Sequence, residues 1–290
     1  MICKICGGKN LFRQYTIDYF TPSFDILKCL DCGFSQQPVS KADAYKFYDE
    51  DYYAGKSEYS YIDERQLEEA SRIVWKARLK RIARWDKAGE PKRYLDVGCS
   101  FGGLIQVASE AGYAPYGVEV SDYSGAYARN RFGKDNVIVG NIEEINLTPD
   151  YFNVVSLIEI AEHLYDPRKA FENIYKAIKP GGFVFIQTAN MDGLQAKFWK
   201  EKYHYYVPGH LSYFTRKTLK RLLLDTGFTR VKFIPGVEFG LLPKLRKSRA
   251  SFKRPRDYFK WFRIAFYHWL SKIAVGNFQG TSSMVMIGWK

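Results

Sequence analysis

The order of strand, glycine loop, helix, strand and acid near the middle of the chain restricts its fold more than any other feature. Tyr94-Leu95-Asp96-Val97 reads as a short buried strand, and Gly98-Cys99-Ser100-Phe101-Gly102-Gly103 follows as a tight loop. Leu104 to Ala111 reads as a helix, and Tyr116-Gly117-Val118-Glu119-Val120 as a second strand ending in a carboxylate. In such a unit the loop glycines let a ligand approach the backbone and the amides of the helix N-terminus. Glu119 lies 21 residues past Gly98, where a carboxylate can accept hydrogen bonds from both hydroxyls of a ribose. A dinucleotide fits less well, because Ser100 occupies the second glycine position of G-x-G-x-x-G and costs the pyrophosphate its close backbone contact.

The pattern continues through Val137-Ile138-Val139, followed by Gly140-Asn141-Ile142, and through the buried strand Phe152 to Ile158. That strand leads into Glu159-Ile160-Ala161-Glu162-His163-Leu164-Tyr165-Asp166-Pro167. A helix is expected from Arg168 to Lys179, then Lys179-Pro180-Gly181-Gly182 and a strand from Phe183 to Gln187. A further helix is expected over Thr215 to Thr226, with strands at Val231–Ile234 and Ser283–Trp289. The ordered set Leu95-Asp96-Val97-Gly98-Cys99-Ser100-Phe101-Gly102, Glu119, Glu162-His163-Leu164 and Lys179-Pro180-Gly181-Gly182 resembles the class I S-adenosylmethionine (SAM) dependent methyltransferases, over residues 93–239. The resemblance implies an α/β, Rossmann-like fold with a seven-stranded core. It also implies that Asp96, Gly98, Cys99, Ser100, Phe101 and Gly102 cradle SAM and that Glu119 holds the ribose. Asn141, where many relatives carry Asp, would meet the adenine, Ile142 would pack on its face, and Glu159 would complete the cofactor set. Cys99 reads as a small packing residue rather than a reactive thiol.

Four of the five cysteines form Cys3-x-x-Cys6 and Cys29-x-x-Cys32, with 22 residues between the pairs. Two such knuckles can arrange four thiolates tetrahedrally around a structural zinc ion. Gly7-Gly8 and Gly33 follow them where a knuckle turn needs small residues and positive φ. A disulfide pair is the rival, and a reduced cytoplasmic setting favours the metal. The domain reading is a zinc-binding module at 1–40, a helical connector or lid at 41–92, the core at 93–239, a basic amphipathic insertion at 240–280 and a last core strand at 281–290. The connector is Tyr-rich, with Tyr48, Tyr52 and Tyr53 placed either to line the site or to pack between module and core. A helix is expected from about Asp63 to Lys87, with Leu67, Ile73, Val74, Leu79 and Ile82 on one face. Zinc module, connector and core together resemble sugar methyltransferases of bacterial surface-glycan and deoxysugar pathways.

SAM carries an activated methyl group, so the protein's task is to position the acceptor and remove its proton. His is the commonest base for that step. The chain has four histidines, His163, His204, His210 and His268, and the first three fall just after the fourth and fifth core strands. His210 lies in Tyr205-Tyr206-Val207-Pro208-Gly209-His210-Leu211-Ser212-Tyr213-Phe214, similar to a segment of sugar methyltransferases. The C-methylating relatives carry Glu-His there and this chain carries Gly209-His210, which favours O-methylation. The expected catalytic set is His210 as base with His163, Glu162 and Tyr206. His204 reads as a pocket wall or surface residue.

Formal net charge is +13, and from Gly240 to Lys290 eleven Lys and Arg face the single acid Asp257. A second basic run lies between Arg72 and Arg93. Asp257 to Ile273 fits a helix with Tyr258, Phe259, Phe262, Ala265, Phe266, Trp269, Leu270 and Ile273 on one face and Arg256, Lys260, Arg263 and Ser271 opposite. Such a helix suits an anionic membrane surface, with residues 244–273 as the contact, or else packs on the core or a partner. Neither a signal peptide nor an apolar run of membrane-spanning length is evident, so the expected location is cytoplasmic, peripheral at the inner face of the membrane. The expected acceptor is a nucleotide-linked or lipid-linked sugar. The alternatives are RNA, favoured by zinc and charge but lacking the Asn/Asp-Pro-Pro-Tyr/Phe motif, and a quinone or lipid.

Overall fold

The computed structural model describes residues 1–46, 48, 50–53, 63, 65, 68–87, 89–235, 245, 254–270, 273–275, 278–280 and 282–290. Tyr59, Tyr61, Leu67, Ser271, the side chain of Tyr53 and most of the basic run from Lys244 to Lys253 lie outside the described residues.

The N-terminal segment forms strands β1 (Leu11–Ile17), β2 (Phe24–Cys29) and β3 (Ser35–Gln36), linked antiparallel in that order. Its fourth strand comes from the far side of the sequence. β3 pairs with Ser212–Tyr213, numbered β9 below, through Ser35↔Tyr213 and Gln36↔Ser212. Phe34 packs against Phe214 with ring centres 5.1 Å apart and planes tilted by 47°, and Cys3, Ile5, Cys29 and Phe34 share one hydrophobic core with the central sheet. The segment is thus built into the core's flank.

The connector holds α1 (Glu50–Tyr53) and α2 (Glu68–Ala83). In α2 the buried face is Trp75, Leu79 and Ile82, while Ile73, expected on that face, is 60% exposed. Trp75 takes the place assigned to Ile73 because its ring covers Gly103, where any Cβ would stand 2.2 Å from the indole.

The central sheet alternates with helices: β4 (Arg93–Val97), α3 (Gly103–Glu110), β5 (Ala114–Glu119), α4 (Asp122–Phe132), β6 (Val137–Val139), β7 (Phe152–Ile158), α5 (Pro167–Ala177) and β8 (Ile178–Ala189). After α6 (Leu194–Trp199) and β9 come α7 (Arg216–Asp225), β10 (Arg230–Pro235), α8 (Phe259–Leu270), the small hairpin of β11 (Ala274–Val275) and β12 (Phe278–Gln279), and β13 (Ser283–Trp289). The seven-stranded order is β10-β13-β8-β7-β4-β5-β6, with β13 antiparallel to both neighbours and the pairs from β8 to β6 parallel. β4, β7 and β8 are buried on both faces, which is why they read as nearly continuous apolar runs. Helix starts follow local chemistry. Asp166 accepts from the Lys169 N–H with Pro167 in the first turn of α5, and Thr215 and Thr218 form a reciprocal capping box on α7. Lys179-Pro180-Gly181-Gly182, expected to precede the strand that starts at Phe183, lies inside β8, where the register with β7 slips between Phe152 and Val154. No helix among the described residues is long and apolar enough to cross a membrane.

Candidate active site

The carboxyl ends of β4, β5, β6 and β7 open into one cavity of about 500 Å³, the position at which open parallel sheets bind ligands. Gly98 and Ser100 line it from the first loop, Glu119 from β5, Asn141 and Ile142 from the loop after β6, and Glu159 from the loop after β7. Gly98 has φ +78°, and a Cβ there would stand 2.2 Å from Ile160 Cδ1, so this position requires glycine. The buried Glu119 carboxylate accepts from the Ser100 N–H at 2.8 Å and the Ser121 N–H at 3.0 Å. Those bonds lock its orientation toward the cavity. Asn141 spends its side-chain oxygen on the Glu143 N–H at 2.9 Å.

Four residues expected in the cofactor set do not line the cavity. Asp96 is buried beneath the loop and accepts from the Ser156 hydroxyl, which itself accepts from Tyr94 Oη at 2.8 Å. Cys99 packs under the sheet edge against Gly117, and burial, with the Glu119 and Asp96 carboxylates, raises its thiol well above the ordinary range. It is a protonated packing group. Phe101 turns toward Tyr123 and Tyr127 and lies under the Arg65 guanidinium, whose carbon is 4.2 Å from the ring centre. Gly102, at φ +85°, caps α3 and backs onto Phe132. These four shape the loop from behind.

His163, His204 and His210 all line the cavity, with Glu162, Tyr48, Tyr52 and Tyr205. The His163 and His210 rings meet edge to face at 4.7 Å. His210 Nδ1 is 2.7 Å from the Tyr205 carbonyl oxygen and His163 Nδ1 is 2.9 Å from that of Gly209. A carbonyl only accepts, so both neutral rings carry their proton on Nδ1 and their basic lone pair on Nε2. The Tyr48 hydroxyl also contacts His163 Nδ1, at 2.6 Å. Burial lowers His163 to about 4, while burial and the His163 ring lower His210 well below the usual histidine range. Burial, then the neighbouring Glu159 carboxylate, raises Glu162 well above the carboxylate range, and Thr188 donates to its Oε2 at 2.5 Å. Tyr206, expected in the catalytic set, instead packs between Tyr15 and Tyr213, away from the cavity lining. His268 is buried in α8, a separate element.

Sequence reasoning missed Tyr45, Arg78 and Tyr205. Tyr45 donates to Glu143 Oε1 at 2.5 Å, and the same oxygen accepts from the Tyr165 N–H and Asp166 N–H at 2.8 and 2.9 Å. Arg78 sits one turn before Ile82 on the inner face of α2, so its basic neighbours concealed an inward cation.

At the other end of the segment Cys3 Sγ lies 3.5 Å from Cys32 Sγ and Cys6 Sγ 3.7 Å from Cys29 Sγ, and the four sulfurs fall within 4.8 Å of one another. All four are free thiols, and burial pushes Cys3 up to about 11. Gly7 and Gly33 take the expected positive φ. Gly8 is small for another reason, since a Cβ there would meet Asp31 Oδ2 at 2.1 Å.

A parallel sheet closed by an antiparallel last strand, with a buried carboxylate at the end of its second core strand lining the cavity, is the fold of the class I SAM-dependent methyltransferases. The profile of the methyltransferase domain family matches residues 65–232, and the chain belongs to that family. A SAM-dependent methyltransferase of Archaeoglobus fulgidus superposes with a TM-score of 0.52 at 21% identity, covering 79% of this chain and all of that one. Phosphoethanolamine N-methyltransferase 2 of Haemonchus contortus gives 0.55 at 16%, covering 95% of this chain and 71% of its own. Both likenesses concern the fold. The ubiquinone biosynthesis O-methyltransferase of Pseudomonas fluorescens is 31% identical over 107 residues, 34% of this chain and 45% of that protein. That of Coxiella burnetii is 30% identical over 103 residues. The chain spans less than half the length of these curated relatives.

Replacing Glu119 by Gln removes the charge that the Ser100 and Ser121 amides hold in place. Such charge-assisted bonds contribute about 1.5–3 kcal/mol each. Calorimetric titration of E119Q with SAM is expected to show about ten-fold to hundred-fold weaker binding, with the far-UV spectrum unchanged.

Proposed function

We propose that the chain transfers the methyl group of SAM to a hydroxyl of a nucleotide-linked or lipid-linked sugar, with the acceptor's proton removed at the His163–His210 pair. The observation that carries this reading is the convergence of two neutral imidazoles on the cavity that Glu119 also lines. SAM supplies an electrophilic methyl when bound, and Gly98, Ser100, Glu119, Asn141, Ile142 and Glu159 would hold it. Tyr45, Tyr48, Tyr52 and Tyr205 add ring faces and hydroxyls that suit an acceptor presenting both C–H and O–H surfaces. Gly209 leaves no carboxylate beside His210 from the preceding residue, which supports O-methylation over C-methylation.

Methyl-labelled SAM incubated with the purified protein and a fractionated lysate of its own host is expected to label sugar nucleotides or extractable glycolipid. His210→Ala should lower that incorporation by at least about a hundred-fold, the scale of general acid–base assistance. Label in a quinone fraction would favour the reaction named for the curated relatives, and label in RNA would overturn the sugar reading.

The four cysteines are proposed to hold one structural zinc ion. Thiolates at about 2.3 Å around a tetrahedral ion stand about 3.8 Å apart, and the sulfur pairs at 3.5 and 3.7 Å fit that spacing without rearrangement. Metal analysis of the purified chain should find one zinc per chain, lost in Cys3→Ser together with several degrees of Tm. Mass spectrometry showing two disulfides and no metal would refute it.

An anionic membrane surface is the proposed partner of α8. Phe259 and Phe262 are 74% and 76% exposed, with Phe266 and Trp269 also exposed along the same stripe. The adjoining sequence, from Lys244 to Arg256, carries seven Lys and Arg, a charge complementary to acidic headgroups. Phe259→Ser/Phe262→Ser should abolish sedimentation with phosphatidylglycerol vesicles while leaving SAM binding unchanged. Equal sedimentation of both proteins would remove the membrane from the reading.

A further inference from the structure

We infer that a second cavity, at the opposite end of the sheet from the catalytic one, binds the pyrophosphate group of a small ligand. It measures about 710 Å³ and is lined by Trp85 and Lys87 beyond the end of α2, by Arg230 and Lys232 of β10, and by Trp289 of β13. Gly181 of β8 also lines it. Six residues further along that strand, the Gln187 carbonyl accepts from the N–H of Glu159, which lines the catalytic cavity. At about 3.3 Å per residue the two cavities stand roughly 20 Å apart. They share no lining residue.

The strand order explains how the cavity is built. β10 is an edge strand, and its alternation packs Val231 and Phe233 on the hydrophobic core while Arg230 and Lys232 take the other face. The Arg230 guanidinium carbon lies 4.0 Å from the centre of the Trp289 ring, and the Lys232 ammonium 4.6 Å from that of Trp85. The two indoles meet edge to face at 5.8 Å. Each cation is therefore held against a ring and has given up part of its conformational freedom before a ligand arrives. A guanidinium over a ring still presents N–H groups in the planar fork that matches two phosphate oxygens.

Charge in this cavity is one-sided. Among the described residues no carboxylate lines it, and the Lys87, Arg230 and Lys232 side chains have neither an ion pair nor a hydrogen bond. The acids beside them are engaged elsewhere. Asp150 pairs with Lys290 Nζ at 2.7 Å, Asp86 accepts from Tyr113 Oη at 2.8 Å, and Glu90 lies 3.7 Å from Lys92 Nζ. Three uncompensated cations around one concavity favour a ligand with several negative charges over a single carboxylate. A lone phosphate would leave most of a cavity this large empty, whereas a diphosphate with an attached group fills it.

The test is calorimetric titration of the full-length protein with sodium pyrophosphate, the cofactor site first filled with S-adenosylhomocysteine. One equivalent is expected to bind, and Arg230→Ala/Lys232→Ala should weaken it about ten-fold or more through the loss of charge-assisted hydrogen bonds. Lys87→Ala, at an exposed residue stacked on neither indole, should weaken binding by a smaller factor. Lys217→Ala/Lys220→Ala removes the same amount of charge from exposed positions of α7 and should leave binding unchanged. Binding of S-adenosylhomocysteine by every variant reports that it is folded. Uridine diphosphate and geranyl diphosphate, with the β10 double variant as the blank, separate the sources of the group. Affinity gained over pyrophosphate by the first identifies a nucleotide and by the second a prenyl lipid, and either gain supports the site. Failure of pyrophosphate to saturate below about one millimolar overturns the inference. So does undiminished binding by the folded β10 variant, or an equal loss in the α7 variant, and the cations then serve only to keep an edge strand from pairing.

Discussion

The pairing of Ser35–Gln36 with Ser212–Tyr213 is the contact on which the rest of the arrangement depends. It joins segments about 177 residues apart and is only two residues long, yet it sets the position of His210 two residues before it. The Gln37 N–H donates to the Leu211 carbonyl at 3.0 Å, and the Leu211 N–H donates to the Glu162 carbonyl. A chain of backbone bonds therefore runs from the cysteine segment through the histidine loop to the turn that carries Glu162 and His163. Arg168 strengthens the same join from below by donating to the Ile5 carbonyl, and Lys4 places its ammonium 3.9 Å from the centre of the Tyr165 ring.

Electrostatics in the cavity follow from burial. SAM brings a sulfonium, and a neighbouring imidazolium would repel it. Desolvation keeps both His163 and His210 neutral, so neither imidazole adds positive charge to a cavity that Arg78 also lines. Burial likewise pushes Glu162, beside the two imidazoles, toward its neutral form, and the Gln187 amide donates to Glu159 at 3.1 Å. Position and charge are thereby both settled before any acceptor enters.

The central sheet was legible in the sequence because β4, β7, β8 and β13 are buried on both faces, where sequence and burial coincide. Strands Val137–Val139, Phe152–Ile158 and Ser283–Trp289 have the boundaries their residues suggest. The first loop was legible as a loop but not residue by residue. Asp96, Cys99, Phe101 and Gly102 are adjacent in sequence to cavity residues, and only the local φ values decide which of them turn outward. Tyr205 and Tyr206 illustrate the same limit, since both touch one aromatic cluster yet Tyr205 alone of the two lines the cavity. The inward Trp75 and Arg78 of α2 escaped notice because that helix carries almost no periodic contrast between faces. What covers a surface is long-range information, and β3–β9 is the clearest case: nothing in Ser212-Tyr213 announces a partner 177 residues earlier.

That cross-sequence pairing bears on how the molecule can be divided. A chain shortened to begin at residue 41 would retain every strand of the seven-stranded sheet, yet Ser212–Tyr213 would become a bare edge and Phe214 would lose the ring packed against it. An uncovered edge of that kind is a template for sticking to other chains. The first forty residues thus act as a built-in shield against aggregation as well as a clasp, and they cannot be treated as a detachable appendage.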